Sequence, residues 1–114
     1  MSENSENPAV VYCEKNFGGM DGKTAHGLVR SSQKYKIVAV IDSEKAGQDA
    51  GQVLDGQKNG IPILKDLDQA LEPFESAPDF FILGMAPLHG FLSPRERDIV
   101  LHAMERGMHI VNGL

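Results

Sequence analysis

The sequence predicts an α/β fold, a three-layer sandwich built around a parallel five-stranded sheet. Short apolar runs, rich in β-branched and aromatic residues, do not alternate with polar residues, which is typical of strands buried on both faces. Segments with helical spacing separate several of these runs, and that alternation indicates right-handed crossovers. The chain has 114 residues, of which 41% are hydrophobic and 24% charged. These values are ordinary for a single globular domain.

The N-terminal half opens on a polar tail. Residues 1–8 are predicted to be flexible, and the domain is predicted to cover residues 9–114. The first strand is expected at 9–13 and the second at 36–41, with a glycine-rich loop and a helix from Lys23 to about Ser32 between them. The polar stretch from Ser43 to Gly60 is predicted to be a loop with one short helical turn.

The C-terminal half carries clearer boundary signals. A third strand at 61–64 contains Pro62, which suits the edge of a sheet because proline cannot donate a ladder hydrogen bond. Asp66 is a predicted N-cap, with Gln69 three residues later. Strands are expected at 80–83 and 109–112.

The last predicted helix begins at Ser93-Pro94, an N-cap serine followed by proline at the first helical position. Gly107 is expected just beyond its C-terminus. One apolar face is predicted to contain Ile99, Val100, Ala103 and Met104.

The order of these elements favours a Rossmann-like sheet with strand order 3-2-1-4-5. In such sheets ligands bind beyond the carboxyl ends of the strands, at the point where the strand order reverses. Two glycine-rich loops, at 14–22 and 84–90, would flank that crevice. A last strand with no helix after it leaves part of one sheet face uncovered, so either a partner covers that face or the chain is a piece of a longer protein. We expect the second, with this chain as the N-terminal part of a two-domain protein.

Composition excludes several classes of protein. The net charge of -5 and the pI near 5.2 argue against a nucleic-acid binder. No apolar run approaches the roughly 18 residues that a membrane span needs, and the polar N-terminus is unlike a secretory signal. A single cysteine, Cys13, cannot form an internal disulfide. A cytoplasmic location is therefore predicted.

The loop from Phe17 to Thr24 resembles two phosphate-binding fingerprints but completes neither, because both need glycine at position 17. Glycines still let backbone N–H groups approach an anion, and a helix N-terminus adds its dipole. The alternative is a loop that only turns the chain. The candidate cofactor-binding residues here are Gly18, Gly19, Gly22, Lys23 and Thr24.

Asp42 lies twenty residues after Gly22, at the end of the second strand, where an acid can hold a ribose hydroxyl. The same residue type is also common in turns and N-caps. Three further ligand candidates are His26 and Arg30, which share a cationic helix face with Lys23, and His89, which lies in the second crevice loop.

The remaining chemistry-bearing residues are expected to be structural. Cys13 is predicted to be a buried small hydrophobe, His102 to lie on the outer face of the last helix, and His109 to open a strand. We predict no metal site and no complete catalytic set, so the catalytic residues are unknown.

Several stretches resemble one family along nearly the whole chain after Pro8. They are Gly22–Arg30, Val38–Ser43, Ala46–Gly51, Gly60–Ile63, Leu83–Pro87 and Glu105–Leu114. Together they resemble the Rossmann-like N-terminal domain of the two-domain family called domain of unknown function 1611. Members are often labelled NAD-dependent epimerase/dehydratase, and some are associated with D-glutamate N-acetylation. The resemblance implies a C-terminal P-loop domain as partner.

Three functions follow as hypotheses. The first is a nucleotide- or anion-binding module, whose ligand would be NAD, ATP or coenzyme A or a carboxylate, and which alone is not catalytic. The second is a non-catalytic module that forms a homo-oligomer or docks its neighbouring domain. The third is an NAD-dependent oxidoreductase domain.

Overall fold

A computed structural model describes residues 7–13, Gly27, Val29, 35–74, 77–84 and 94–112, with the side chain of Asn112 excepted. Five strands and three helices have defined bounds within these residues. In chain order they are β1 (Pro8–Tyr12), β2 (Lys36–Ile41), α1 (Ala50–Asp55), β3 (Ile63–Leu64), α2 (Leu67–Leu71), β4 (Phe80–Leu83), α3 (Pro94–Glu105) and β5 (His109–Asn112). Gly27 and Val29 also have helical backbone, inside the helix predicted from Lys23 to about Ser32.

The five strands form one parallel sheet in the order β3-β2-β1-β4-β5. The predicted fold class and strand order are therefore confirmed. Tyr12 is in register with Ile41 on one side and with Leu83 on the other. The central strands end together, so the loops that follow them leave the sheet from a single edge, which we call the carboxyl edge.

Helices cover both faces of the sheet, as right-handed crossovers require. Val29 and α1 line the same pocket, and α2 and α3 are joined by a hydrogen bond. With strand order β3-β2-β1-β4-β5, right-handed crossovers put these two groups on opposite faces of the sheet. The core between the layers is apolar and closely packed, and the rings of Tyr12 and Phe81 stack with centroids 5.9 Å apart. Its largest fully buried apolar side chains are Phe81, Ile41, Ile63, Ile82, Val10, Val11 and Val40.

The segment from Gly47 to Ile61, which we call the Asp49 loop, is more ordered than a simple loop. It contains α1, the short helical turn that the sequence indicated. Asp49 is the N-cap of α1, and its Oδ1 accepts a hydrogen bond of 3.1 Å from the N–H of Gln52. Gly56, at a φ of 73°, ends the helix in the left-handed conformation that glycine adopts readily.

The β3 edge is covered by the same loop. The strand is shorter than the predicted 61–64. Pro62, just before it, forms an isolated antiparallel bridge with Asp49, and its carbonyl accepts a hydrogen bond from the N–H of Val40 at 3.0 Å. The N–H of Ile63 donates to the Gln48 carbonyl at 2.9 Å, and the N–H of Gly47 donates to the Ile63 carbonyl at 2.9 Å. A short strand whose outer groups are already paired offers little for another chain to extend.

The boundaries of α2 and α3 agree with the sequence signals. Asp66 accepts a hydrogen bond from the N–H of Gln69 at 2.8 Å, and the Gln69 side chain accepts one from Lys65 N–H at 2.9 Å. Gly107 has a φ of 83°, and the N–H of Met108 donates to the Ala103 carbonyl at 3.1 Å. This 6→1 bond is the Schellman ending that a glycine in this place predicts.

The apolar face of α3 is narrower than predicted. Ala103 is fully buried, and Ile99 and Val100 are half-buried against the core. Met104 is 55% exposed, so its assignment to the packed face was wrong. At about 100° per residue Met104 is one step past Ala103, and here it shares the exposed side with Leu101, which is 49% exposed.

Candidate nucleotide site at the carboxyl edge

The hydrogen bonding of the sheet continues for one residue beyond the ends of β1, β2 and β4. Cys13, Asp42 and Gly84 are all buried. The N–H of Cys13 donates to the Ile41 carbonyl at 3.0 Å, and that of Gly84 donates to the Tyr12 carbonyl at 2.9 Å. These bonds fix the points from which the two predicted crevice loops depart, on adjacent strands β1 and β4.

Asp42 stands at the end of β2, as predicted, and is only 1% exposed. Its Oδ1 accepts a hydrogen bond of 3.0 Å from the N–H of Glu44, and its carbonyl accepts one of 3.1 Å from Lys45. Asp42 therefore stabilises a turn, which was the alternative to ribose binding in the sequence analysis. The contact with a ribose stays a prediction.

Cys13 is buried beside Asp42. Burial raises the pKa of the Cys13 thiol from 9.0 to about 12, with a further increase from the negative charge of Asp42. The group is therefore a neutral thiol at pH 7, and a thiol is a poor nucleophile compared with a thiolate. The prediction of a buried small hydrophobe is confirmed.

A cavity of about 380 Å³ opens at the carboxyl edge next to the Asp42 turn. We call it the carboxyl-edge cavity; it is lined by Tyr12, Ile41, Ser43, Lys65, Asp66, Arg95 and Ile99. Its size lies within the range of ligand sites, which combine apolar walls with a few placed polar groups.

The walls of the carboxyl-edge cavity divide by chemistry. Tyr12, Ile41 and Ile99 supply the apolar surface, which suits the flat face of a base. Lys65 and Arg95 supply two positive charges, and among the described residues neither forms an ion pair. The one acid among the described lining residues, Asp66, accepts the α2 capping hydrogen bond through its Oδ1 and keeps its charge, so the described lining carries two positive charges and one negative charge. The cavity is therefore suited to an anion carried on an apolar ring system.

Lys65 and Arg95 were missed at the level of sequence, although a signal for them existed. Lys65 directly follows β3, and Arg95 is in the first turn of α3, so both leave the sheet at its carboxyl edge. The rule that selected Asp42, a polar residue directly after a strand, would have selected Lys65. The signal for Arg95 was the predicted helix start at Ser93-Pro94. Most of the other candidates lie outside the described residues; these are Gly18, Gly19, Gly22, Lys23, Thr24, His26, Arg30 and His89.

A second depression, of about 360 Å³, lies between α2 and α3. Here His102 Nε2 is 2.8 Å from Asp68 Oδ1, and Arg106 is 3.5 Å from the same oxygen. His102 thus faces α2, not the outer side of the helix as predicted, although its role is structural as expected. His109 packs its ring 5.7 Å from that of Phe80, which is also structural.

Two negative findings apply to the described part of the chain. No group of three or more His, Cys, Asp or Glu side chains is placed to hold a metal ion. No described helix is long and apolar enough to cross a membrane.

Comparison with known proteins shows which family the chain is similar to. Residues 43–114 match the family model described as a domain of unknown function (DUF1611_N), Rossmann-like domain. A solved DUF1611 family protein from Anabaena variabilis ATCC 29413 superimposes with a TM-score of 0.80 at 32% sequence identity. The match covers 95% of this chain and 30% of that one. No curated protein matches.

Proposed function

The chain belongs to the DUF1611 family, and from that premise we propose that it is a nucleotide-binding module whose ligand lies along the carboxyl edge of the sheet. The carboxyl-edge cavity is the observation that carries the proposal. It combines apolar walls with Lys65 and Arg95, next to the turn where β2 ends. A nucleotide has a flat apolar base and an anionic end, and thus matches both parts of the lining.

The ligand is expected to extend from this cavity toward the glycine-rich loop after β1. In the proposed arrangement the base packs against Ile99 and Ile41. The loop residues Gly19, Gly22, Lys23 and Thr24 hold a phosphate or carboxylate through N–H groups and charge, and Asp42 contacts the ribose or orients the turn beside it. NAD, ATP and coenzyme A all have the required parts.

A thermal-shift screen of the 114-residue chain tests the proposal. The ligands are NAD, NADP, ATP, acetyl-coenzyme A, inorganic phosphate, and D- and L-glutamate. A ligand that binds only the folded state stabilises it by roughly 2.7 kcal/mol at 100 times its Kd. A shift is expected with at least one of the four nucleotides and is expected to weaken in Lys23→Ala.

Two tryptophan variants locate the ligand. Ile99→Trp places an indole in the carboxyl-edge cavity and is expected to abolish the shift. Leu101→Trp adds the same group to the same helix at an exposed position, and is expected to leave the shift unchanged. If no nucleotide binds, or if both variants bind alike, the proposal is wrong.

Catalysis belongs to the whole protein in this proposal. The family resemblance associates some members with D-glutamate N-acetylation, and we place binding, not the chemical step, in this module. Acetyl transfer from acetyl-coenzyme A to D-glutamate by the 114-residue chain alone, measured as free thiol release, would overturn that division.

A docking module is the second candidate, supported by the exposed pair Leu101 and Met104. They are three residues apart on α3 and are 49% and 55% exposed. Their partner would be a second copy or the P-loop domain that the resemblance implies. If docking is the function, Leu101→Glu is expected to lower the mass seen in sedimentation equilibrium without affecting nucleotide binding, whereas Lys23→Ala is expected to have no effect.

A further inference from the structure

We propose that the bound nucleotide carries a phosphate monoester on its adenosine ribose, and that Lys65 and Arg95 recognise that phosphate. This inference rests on the proposed function, because it names the ligand class of the same site. A contrast between two features of the site carries the inference. The carboxylate of Asp42 is buried and engaged in its own turn, whereas two cations line the cavity beside it.

Asp42 is the residue that would hold an unmodified ribose. In dinucleotide sites the acid at the end of the second strand accepts hydrogen bonds from the ribose hydroxyls, and sites for the phosphorylated ribose use a nearby cation instead. Here the carboxylate is buried, at 1% exposure, and its Oδ1 caps the turn at Glu44. A buried carboxylate engaged in its own turn is poorly placed to receive a ribose diol.

The cations are placed where a ribose phosphate would lie. Ser43 immediately follows Asp42 and lines the carboxyl-edge cavity together with Lys65 and Arg95. The three residues come from the ends of β2 and β3 and from the first turn of α3, so the sheet itself brings them together. Among the described residues, Asp66 is the one acid that lines the cavity with this pair, so the lining has an excess of one positive charge. A phosphate monoester carries between one and two negative charges near pH 7 and would balance that excess, whereas an unmodified ribose would not.

Two common cofactors have this chemistry. NADP carries the phosphate on the ribose 2′ oxygen and coenzyme A carries it on the 3′ oxygen. Three small probes separate the possibilities, because they differ only in that phosphate: adenosine 5′-monophosphate, adenosine 2′,5′-bisphosphate and adenosine 3′,5′-bisphosphate.

Calorimetric titration of the 114-residue chain with the three probes is the test. We expect one bisphosphate to bind at least roughly tenfold more tightly than the monophosphate, since charge-assisted hydrogen bonds are the strong ones. The preferred isomer identifies the source. The same preference is expected for NADP over NAD, or for coenzyme A over its dephospho form, and it is expected to weaken as salt rises.

Variants assign the preference to residues. Arg95→Gln with Lys65→Gln is expected to remove the preference, because it should lower the affinity for the bisphosphate at least roughly tenfold more than the affinity for adenosine 5′-monophosphate. Arg97→Gln is the matched control, because Arg97 lies two residues from Arg95 on α3 and is exposed as Arg95 is, but does not line the cavity. Arg95→Lys retains the charge and is expected to keep part of the preference; all variants are compared at equal thermal stability.

The outcomes separate this inference from the proposed function. Equal binding of all three probes overturns the inference and leaves nucleotide binding intact. A preference that survives in the double variant also overturns it. Binding of no probe and of no cofactor overturns the proposed function itself.

Discussion

The Asp49 loop and the carboxyl-edge cavity both gather polar groups at the surface of one sheet, but they differ in how those groups are satisfied. In the loop, Asp49 accepts hydrogen bonds from the N–H groups of Gln52, Asn59 and Gly60 at 2.9 to 3.1 Å. Asn59 Oδ1 in turn accepts from Gly51 and Ile61 at 3.1 and 3.0 Å. In the cavity, neither Lys65 nor Arg95 forms an ion pair with a described residue.

The difference separates a structural network from a binding surface. Polar groups that satisfy one another hold the backbone in a single arrangement, and removing one leaves its partners unsatisfied. Charges that form no ion pair with a described residue, such as those of Lys65 and Arg95, are available to a ligand. Changes in the Asp49 loop should therefore lower the free energy of unfolding, whereas changes in the carboxyl-edge cavity should alter affinity with little effect on stability.

The largest effect is expected from Gly51→Ala in the Asp49 loop. A Cβ at this buried position would lie 2.5 Å from the Gln57 carbonyl oxygen and 2.8 Å from the Asn59 nitrogen. Both are backbone atoms, so the loop must move and its hydrogen bonds must distort. A loss of about 2–4 kcal/mol in the free energy of unfolding is expected, measured by urea denaturation.

Gly27→Ala is the control for this variant. Gly27 is helical, and a Cβ there would meet nothing within 4 Å. Alanine should stabilise that helix by roughly 0.5–1 kcal/mol. Similar losses in both variants would mean that close packing around Gly51 is not what determines its effect.

Asp49→Asn tests the carboxylate at the centre of the loop. The N–H of Asn59, with those of Gln52 and Gly60, lowers the pKa of the Asp49 carboxyl below its usual 3.8. A lowered pKa in the folded state means stability that is present above the unfolded value and is lost as pH falls. The urea midpoint of the wild type should therefore fall more steeply between about pH 5 and pH 3 than that of the variant.

Asparagine replaces one of the two acceptor oxygens of Asp49 by an NH2 group, so at least one backbone N–H loses its acceptor. The effect should still be smaller than that of Gly51→Ala, because asparagine fits the same space and no backbone has to move. Asp98→Asn, an exposed acid on α3, serves as the control. Parallel pH profiles for the wild type and Asp49→Asn would contradict a role for the charge, and would leave only the shape of the side chain.

The sheet could be predicted from the sequence, whereas the Asp49 loop could be predicted only in outline. The strands are continuous apolar runs, and burial on both faces imposes that pattern directly. The loop has no such pattern. Its order depends on hydrogen bonds between Asp49 and residues ten and eleven positions later, and local propensity carries no information on contacts at that distance.

The candidate site was predictable in position but only partly in composition. The end of β2 was identified through Asp42, but its burial depends on the turn at Glu44 and on the packing of Cys13. Lys65 and Arg95 are thirty residues apart in the sequence, and only the sheet order brings them to one cavity. Met104 shows an error of the other kind, a residue assigned to a role that it does not have. Helical spacing alone cannot predict how wide a strip of the α3 surface is covered by the elements packed against it.

Cys13 tests how closed the carboxyl edge is next to Asp42. Because burial raises the thiol pKa to about 12, the folded state retains its proton when the unfolded chain loses it near pH 9. Stability should then be complete below pH 9 and fall above it by up to ~1.4 kcal/mol per pH unit. Urea midpoints at pH 7, 9 and 10 should show this fall in the wild type and a shallower one in Cys13→Ala. Rapid reaction of the native thiol with a thiol reagent at pH 8 would contradict a closed edge.

The smallest effect is expected at the contact between α2 and α3. Its polar groups are paired, as in the Asp49 loop, but they are exposed to solvent, as Lys65 and Arg95 are in the carboxyl-edge cavity. His102 Nε2 and Asp68 Oδ1 are 2.8 Å apart, but their side chains are 38% and 71% exposed. Water competes for both groups, so a double-mutant cycle of His102→Ala and Asp68→Ala should give a coupling of about 0.2–1 kcal/mol. Arg106 also approaches Asp68, at 3.5 Å. Because these side chains are exposed to solvent, the coupling should shrink further in 1 M salt. A coupling above about 2 kcal/mol would contradict this expectation. The contact would then resemble the hydrogen-bonded network of the Asp49 loop, as one that holds the two helices together, and not the charges of the carboxyl-edge cavity.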